Sequence, residues 1–221
     1  MTAAVALYAR LNLAPPWLPE PCGLCTPLVI YGASSSVGSY AVQLARRSNI
    51  HPLICIAGNS KDHVEQFIDR AQGDTVLDYR NGDAALVEGM RAALLGKPLE
   101  FAFDAVSDET SSKNICEVLH PTGGKIAFVL PEHLSTAKVP SGIQPTYSNV
   151  VDVHKNLHDF GLVYTRLLAK GLEDGWFVPQ PHEVVPGGLN GVEEGLRRLR
   201  DGKARAVKYV FRIAETPGLG T

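Results

Sequence analysis

Short unbroken apolar runs alternate along the chain with segments whose apolar residues recur every three to four positions. Leu28–Tyr31 is the first run, and Pro52–Ala57, Thr75–Asp78, Leu99–Ala105 and Gly124–Leu130 follow. Runs this short, without polar alternation, predict strands covered on both faces. Between them Val37–Ser48, Lys61–Ala71, Ala84–Leu95 and Glu109–Leu119 carry helical spacing. Regular strand–helix alternation predicts parallel pairing with helices on both sides. The expected fold class is α/β, a Rossmann-type doubly wound parallel sheet of about six strands with a short C-terminal α+β appendage.

The flanks break this rhythm. Met1–Asn12 reads as a helix with an Ala/Val/Leu stripe. Ala14–Pro27 holds Pro15, Pro16, Pro19, Pro21 and Pro27 and must be irregular. Glu132–Pro145 is loop-like, and Thr146–Val153 reads as the sixth strand. A long helix is expected over Leu157–Glu173, then "HEVV" at 182–185, a helix over Leu189–Asp201 and a strand over Ala206–Ile213. The closing "AETPGLGT" is expected to fray. Three segments result: a linking helix and Pro-rich leader (1–27), a dinucleotide-type domain (28–175) and a C-terminal segment (176–221).

Composition narrows the function. Of 221 residues, 45% are hydrophobic and 20% charged, as in ordinary globular domains. A net charge of -2 gives no bulk attraction to nucleic acid or to an anionic membrane. No apolar run approaches the ~18 to 20 residues that span a bilayer. Met1–Ala14 lacks the charged start and apolar core of a secretory signal, so a cytosolic protein acting on a small molecule is expected. Arg197, Arg198, Arg200, Lys203, Arg205 and Lys208 read as a solvated helix face. Cys22 and Cys25 form a CxxC, but no second ligand pair exists and no helix starts there. It reads as an incidental loop feature, and no metal is expected; Cys55 reads as core.

The stretch that carries chemistry is "VIYGASSSVGSYAVQLARR", residues 29–47. Gly32 permits a tight exit from the strand, and Gly38 lets the following helix pack close to the sheet. Ala33, Ser34, Ser35 and Ser36 are small enough for a pyrophosphate to reach backbone N–H groups at a helix N-terminus. Serine hydroxyls add donors where glycine adds only room. The spacing departs from G-x-G-x-x-G, and a tight structural turn is the bland alternative. The rival motifs fail: no Gly-Lys-Ser/Thr for a phosphate loop, no Tyr-x-x-x-Lys proton relay, and no Gly-x-Ser-x-Gly elbow.

An NAD site places Asp or Glu after the second strand to hold the ribose 2′-OH. Between Gly32 and Lys61 the chain has no acidic residue. Ser60 and Lys61, in "AGNSKD", suit a 2′-phosphate instead, which favours NADPH over NADH. Ser60 also reads as a helix cap, and Asp62 as a first-turn acid.

"TPLVIYGASSSVGSYAVQLARRSNIHPLICIAG", "GDTVLDYRNGD", "FAFDAVSD" and "GGKIAFVLP" together resemble the cofactor half of zinc-free medium-chain dehydrogenase/reductases. The group most resembled is the fungal ToxD-like oxidoreductases, relatives of quinone oxidoreductases and trans-acting enoyl reductases. Residues 160–213 resemble the end of those proteins, and "TAAVALYARLNLAPPW" their linking helix. The resemblance implies that Ser34, Ser35, Ser36 and Val37 line the pyrophosphate. It implies that Ser60, Lys61 and Tyr79 hold the 2′-phosphate. Ala105 and Val106 would lie near the cofactor ribose, and Val129 and Leu130 near the nicotinamide. The alternatives are a surface role for Tyr79 and a core role for Val106 and Val129.

Family members begin with a catalytic domain that has no counterpart before the linking helix of this sequence. The resemblance gives that domain much of the substrate pocket and the proton donors, so no catalytic residue is assigned. It also implies that "HEVV" and "AVKYVFRI" form a small sheet of their own, meet another chain, or belong to a trimmed sequence. A homodimer through a Thr146–Val153 edge strand is expected by the same token. Outside the turn, His154 reads as a cleft acid or a polar loop residue, and Asp104 as a catalytic carboxylate or an acceptor for backbone N–H groups. Glu193 and Glu194 read as solvated. Two functions remain open: an NADPH-dependent enoyl or quinone reductase, or a dinucleotide-fold binding module without redox turnover.

Overall fold

The structure is a computed structural model that describes residues 1–131 and 139–218. Two units divide it, Met1–Val178 and Pro179–Thr221. The first unit is built on six parallel strands: β1 (Leu28–Tyr31), β2 (Leu53–Ala57), β3 (Thr75–Asp78), β4 (Phe101–Asp104), β5 (Lys125–Phe128) and β6 (Gln144–Tyr147). Their order across the sheet is β3-β2-β1-β4-β5-β6. Chain order reverses between β1 and β4, so a crevice opens beyond the strand ends there.

Alternate residues of each strand feed opposite cores. Leu28, Ile30, Leu53, Cys55 and Phe103 pack with α2 (Ser36–Arg47) and the N-terminal helix. Val29, Ile54, Ile56, Ala102, Ile126 and Phe128 pack with α4 (Asp83–Ala93) and α5 (Glu109–Cys116). Both faces are covered, which is why the strands read as apolar runs without alternation.

Several elements differ from the sequence expectation. The N-terminal helix, α1, is α over Thr2–Ala4 and widens to π over Val5–Arg10. Residues 3–8 are all buried, so it has no polar face there. The helix expected over Lys61–Ala71 stops early: α3 is Lys61–Glu65. Phe67 and Ile68 turn into the core, and the Asp69 N–H donates to Asp74 Oδ2 at 2.8 Å, which ends the helical ladder. The strand expected over Thr146–Val153 is displaced. β6 ends at Tyr147, and Val150–His154 is a 3-10 turn started by Asn149, whose side chain accepts from the Val151 N–H. Any pairing across a two-fold at this edge rests on Gln144–Tyr147, where Pro145 has no N–H to offer. The loop expected over Glu132–Pro145 lies partly outside the described residues, and Gln144 and Pro145 belong to β6. The expected long helix forms as α6 (His158–Glu173).

In the second unit β7 (His182–Val184) and β8 (Lys208–Val210) pair with each other in parallel, beside α7 (Val192–Arg200). The expected strand Ala206–Ile213 is shorter because β7 offers only three residues. The expected helix Leu189–Asp201 opens with a 3-10 turn, Gly188–Gly191. The tail does not fray at Thr216, whose Oγ1 accepts from the Leu189 N–H at 2.9 Å; residues 219–221 lie outside the described residues. Arg197 and Arg198 pair with Glu193, Glu194 and Glu183, as a solvated basic face should.

Gly38 decides how closely α2 approaches the sheet. A Cβ there would lie 2.2 Å from the Gly32 carbonyl oxygen. Alanine gains about 1 kcal/mol of helix propensity over glycine. A clash with backbone cannot relax as a side-chain clash can, and overpacking costs about 1–3 kcal/mol. Gly38→Ala is therefore expected to lower stability by about 2 kcal/mol, read as a drop in the urea midpoint.

Candidate functional site

The residues expected to bind a ligand all fall at carboxyl ends of adjacent strands. Gly32 and Ser34–Val37 follow β1, Ser60 and Lys61 follow β2, and Tyr79 follows β3. Val106 follows β4, and Val129 and Leu130 follow β5. Across the sheet they form one row running from β3 to β5.

The turn after β1 is set by backbone. The Gly32 and Ala33 N–H groups both donate to Ile56 O of β2, at 3.1 and 2.9 Å. Gly32 has a positive φ of 76°, and a Cβ on it would meet Val106 at 2.6 Å. Ser35 caps α2: its Oγ accepts from the Gly38 N–H at 3.0 Å. That spends the Ser35 hydroxyl on the helix and leaves Ser36 and Val37 with first-turn N–H groups that have no acceptor within the helix. A twelve-residue helix adds its dipole at the same point. The arrangement places tiny side chains and unpaired helix-start amides at one turn, a geometry that suits an anion.

The charged residues of the row lie at the ends of β2 and β3. Ser60 precedes α3 but makes no side-chain cap, so its hydroxyl is not committed to the helix. The Tyr79 ring lies over Gly58, where an added Cβ would meet it at 2.7 Å, and it is half exposed. Arg80, which sequence reasoning passed over, donates to both oxygens of Asp78 at 2.8 and 2.5 Å and to Asn59 Oδ1. Hydrogen bonds from Arg80 hold the Asp78 carboxyl down at about 2. The only sequence signal for this clamp was the triplet "DYR", whose outer residues reach the same side of the 3-10 turn Tyr79–Asn81.

Asp104 is a structural acceptor. It is fully buried at the end of β4, and its Oδ1 accepts from the Val106 and Ser107 N–H groups at 3.0 and 2.7 Å. Ser111 Oγ donates to Oδ2 at 2.6 Å. Ser107 Oγ in turn accepts from the Val129 N–H at 2.9 Å, so the ends of β4 and β5 are tied together. Val106 and Leu130 are exposed, while Val129 packs partly against the core. Ser107 was missed because a serine in a loop carries no pattern.

The remaining candidates do not join the row. His154 is exposed at the end of its 3-10 turn. Cys22 and Cys25 are free and line a cavity of about 220 Å³ with His51, by the residues that lead into β2. Among the described residues no group of three His, Cys, Asp or Glu is arranged to hold a metal. No helix of the described residues is long and apolar enough to cross a membrane.

Sheet order and helix placement define a Rossmann-type doubly wound domain. No family model matches the sequence. The trans-enoyl reductase fsr4 of Gibberella fujikuroi is 48% identical over 190 residues, covering 86% of this chain and 56% of its own length. The trans-enoyl reductase himH of Aspergillus japonicus is 30% identical over 218 residues, covering 97% of this chain and 60% of its own. In fold, the chain is similar to the CurK enoyl reductase (TM-score 0.67, 16% identity) and to the JamJ enoyl reductase (TM-score 0.65, 20% identity). Each match covers 95% of this chain and 60% of the other. The chain thus spans between half and two thirds of its relatives. Over that span its sequence is similar to these trans-enoyl reductases, and its fold to that of the enoyl reductase structures.

Burial pushes the Asp104 carboxyl up to about 6 from 3.8, against the pull of its hydrogen bonds from Ser107, Ser111 and Val106. A raised acid binds more protons folded than unfolded between those values, so its contribution to stability is lost as pH rises from about 4 to about 6. The shift corresponds to a loss on the order of 3 kcal/mol. Asp104→Asn keeps an oxygen for the Val106 and Ser107 N–H groups and carries no charge. Urea unfolding of wild type is expected to weaken relative to Asp104→Asn across that window, and the two to run parallel above pH ~7.

Proposed function

We propose that this chain binds NADPH along the row of strand ends and serves an enoyl or quinone reductase of the kind found in fungal secondary metabolism, acting in the cytosol. The observation that carries the reading is the row itself: a small-residue anion cradle flanked on one side by Ser60, Lys61 and Arg80, and on the other by Val106, Val129 and Leu130. The names of the relatives support the reaction class.

The residues fit the cofactor in kind. Gly32 and Gly38 have no space for a Cβ, so the turn is built for close backbone approach. The Ser36 and Val37 N–H groups, with Ser34, face the pyrophosphate. Ser60 and Lys61 take the 2′-phosphate, and Tyr79 walls that end. Val106, Val129 and Leu130 keep water from the ring. Bound NADPH supplies hydride for an activated alkene or quinone. The chain's own part is to hold and orient it, and no proton donor is assigned among these residues.

A second reading is a dinucleotide-fold binding module without redox turnover. Adding an enone to the NADPH-bound protein and following the reduced-nicotinamide absorbance separates the two. Loss of absorbance supports the reductase; binding without loss supports the module. Lys61→Ala is expected to weaken NADPH binding about tenfold and leave NADH unchanged, since a phosphate–cation contact exists only for the former. Equal affinity of wild type for both cofactors, or binding of neither, overturns the NADPH reading.

A further inference from the structure

Asp78 places a carboxylate in the crevice where the proposed 2′-phosphate sits. Its side chain is 15% exposed and closes β3, one strand from Ser60 and Lys61. A free carboxylate at such a strand end accepts from a ribose 2′-OH and repels a 2′-phosphate. Asp78 is not free. Its Oδ1 accepts from Arg80 Nε at 2.8 Å and from the Arg80 backbone N–H at 3.0 Å, and its Oδ2 accepts from Nη2 at 2.5 Å. Arg80 Nη1 also donates to Asn59 Oδ1, which ties the end of β3 to the loop between Gly58 and Ser60. Lys61 acts electrostatically on the same carboxylate. With Arg80 in place the three charges sum to +1; without it they sum to zero, and the carboxylate oxygens lose their side-chain donors.

We infer that Arg80 sets the choice between a phosphorylated and an unphosphorylated ribose by masking Asp78. Its planar fork engages both carboxylate oxygens and the Asn59 amide at once, which the point charge of a lysine cannot do. Three of its five N–H donors are used in this way, so two remain for a phosphate oxygen. Arg80 is thus a specificity residue, and Asp78 and Asn59 position it. The inference rests on the NADPH reading of the crevice, and it adds something the sequence hid: an acid of the kind an NAD site uses is present, but covered.

The test compares NADPH and NADH dissociation constants, read from the fluorescence of the reduced cofactor, for wild type, Lys61→Ala, Arg80→Ala, Asp78→Asn and the double variant Arg80→Ala/Asp78→Asn. Arg80→Ala is expected to weaken NADPH about tenfold and to tighten NADH, because it removes a phosphate donor and unmasks the acid. Asp78→Asn in the Arg80→Ala background is expected to restore part of the NADPH affinity and to cancel the gain for NADH. Asp78→Asn alone keeps an oxygen for the Arg80 N–H and is expected to bind NADPH at least as tightly as wild type; a merely structural residue would weaken both cofactors. Equal losses for both cofactors in Arg80→Ala overturn the inference, as does a double variant no better for NADPH than Arg80→Ala. If Lys61→Ala lowers the preference for NADPH and Arg80→Ala does not, the masking is wrong and the NADPH reading stands. A wild type without preference overturns both.

Discussion

The approach of α2 to the backbone of the β1 turn is the constraint on which the rest of this structure hangs. With no side chain at Gly38, the first turn of the helix lies against the Gly32 carbonyl. That position points the Ser36 and Val37 amides over the carboxyl edge of the sheet. Gly32 then matters twice. Its positive φ turns the chain out of the strand, and its bare Cα admits Val106 from the neighbouring loop. Val106 belongs to the turn that Asp104 holds through two N–H groups, and Ser107 of that turn holds Val129. One close backbone contact therefore fixes the ends of three strands, and a shift in it moves every loop of the row.

Buried polar groups secure this arrangement at a cost that shows in their chemistry. Asp104 has three hydrogen bonds in an apolar core and still titrates high, because burial outweighs them. Asp74 plays a matching role at the other end of β2. It accepts from the Leu53 and Asp69 N–H groups and pairs with His51 at 2.7 Å. Each carboxylate satisfies backbone donors that the end of a strand would leave without partners. Neither is placed for chemistry on a ligand.

The sheet was legible because burial on both faces erases polar alternation, and "LVIY" or "LICIA" then admits little but a central strand. The tight turn after β1 was legible because Gly32 and Gly38 flank a run of small residues between a strand and a helix. What the sequence did not show are the places where one side chain overrides local pattern. The helical spacing of 61–71 is real, yet Asp74 captures the Asp69 N–H and the helix ends six residues early. The apolar run after Tyr147 is equally real, yet the Asn149 side chain turns it into a 3-10 helix. Arg80 was invisible for the same reason: its partners, Asp78 and Asn59, are two and twenty-one residues away, and only the strand pairing brings them together. The stretch from Gly32 to Lys61 carries no acid, yet β3, paired beside β2, ends in Asp78.

The row of strand ends has a direction. On the β2–β3 side it carries Lys61 and Arg80, exposed to solvent, and the half-buried Asp78, which Arg80 holds by an ion pair that salt weakens. In the middle, over β1, it offers neutral backbone donors at a helix start. On the β4–β5 side it offers Val106, Val129 and Leu130, with no charged group among them. On the proposed reading, the 2′-phosphate lies at the charged end, the pyrophosphate against the amides in the middle, and the nicotinamide against the apolar end. Each third of the row uses a different interaction, so each can be weakened separately. Ion pairing fails first with added salt, whereas amide donors and apolar walls persist. On the proposed reading, rising ionic strength would therefore erode the preference for NADPH before it eroded dinucleotide binding itself, because only the end that reads the 2′-phosphate depends on exposed charge.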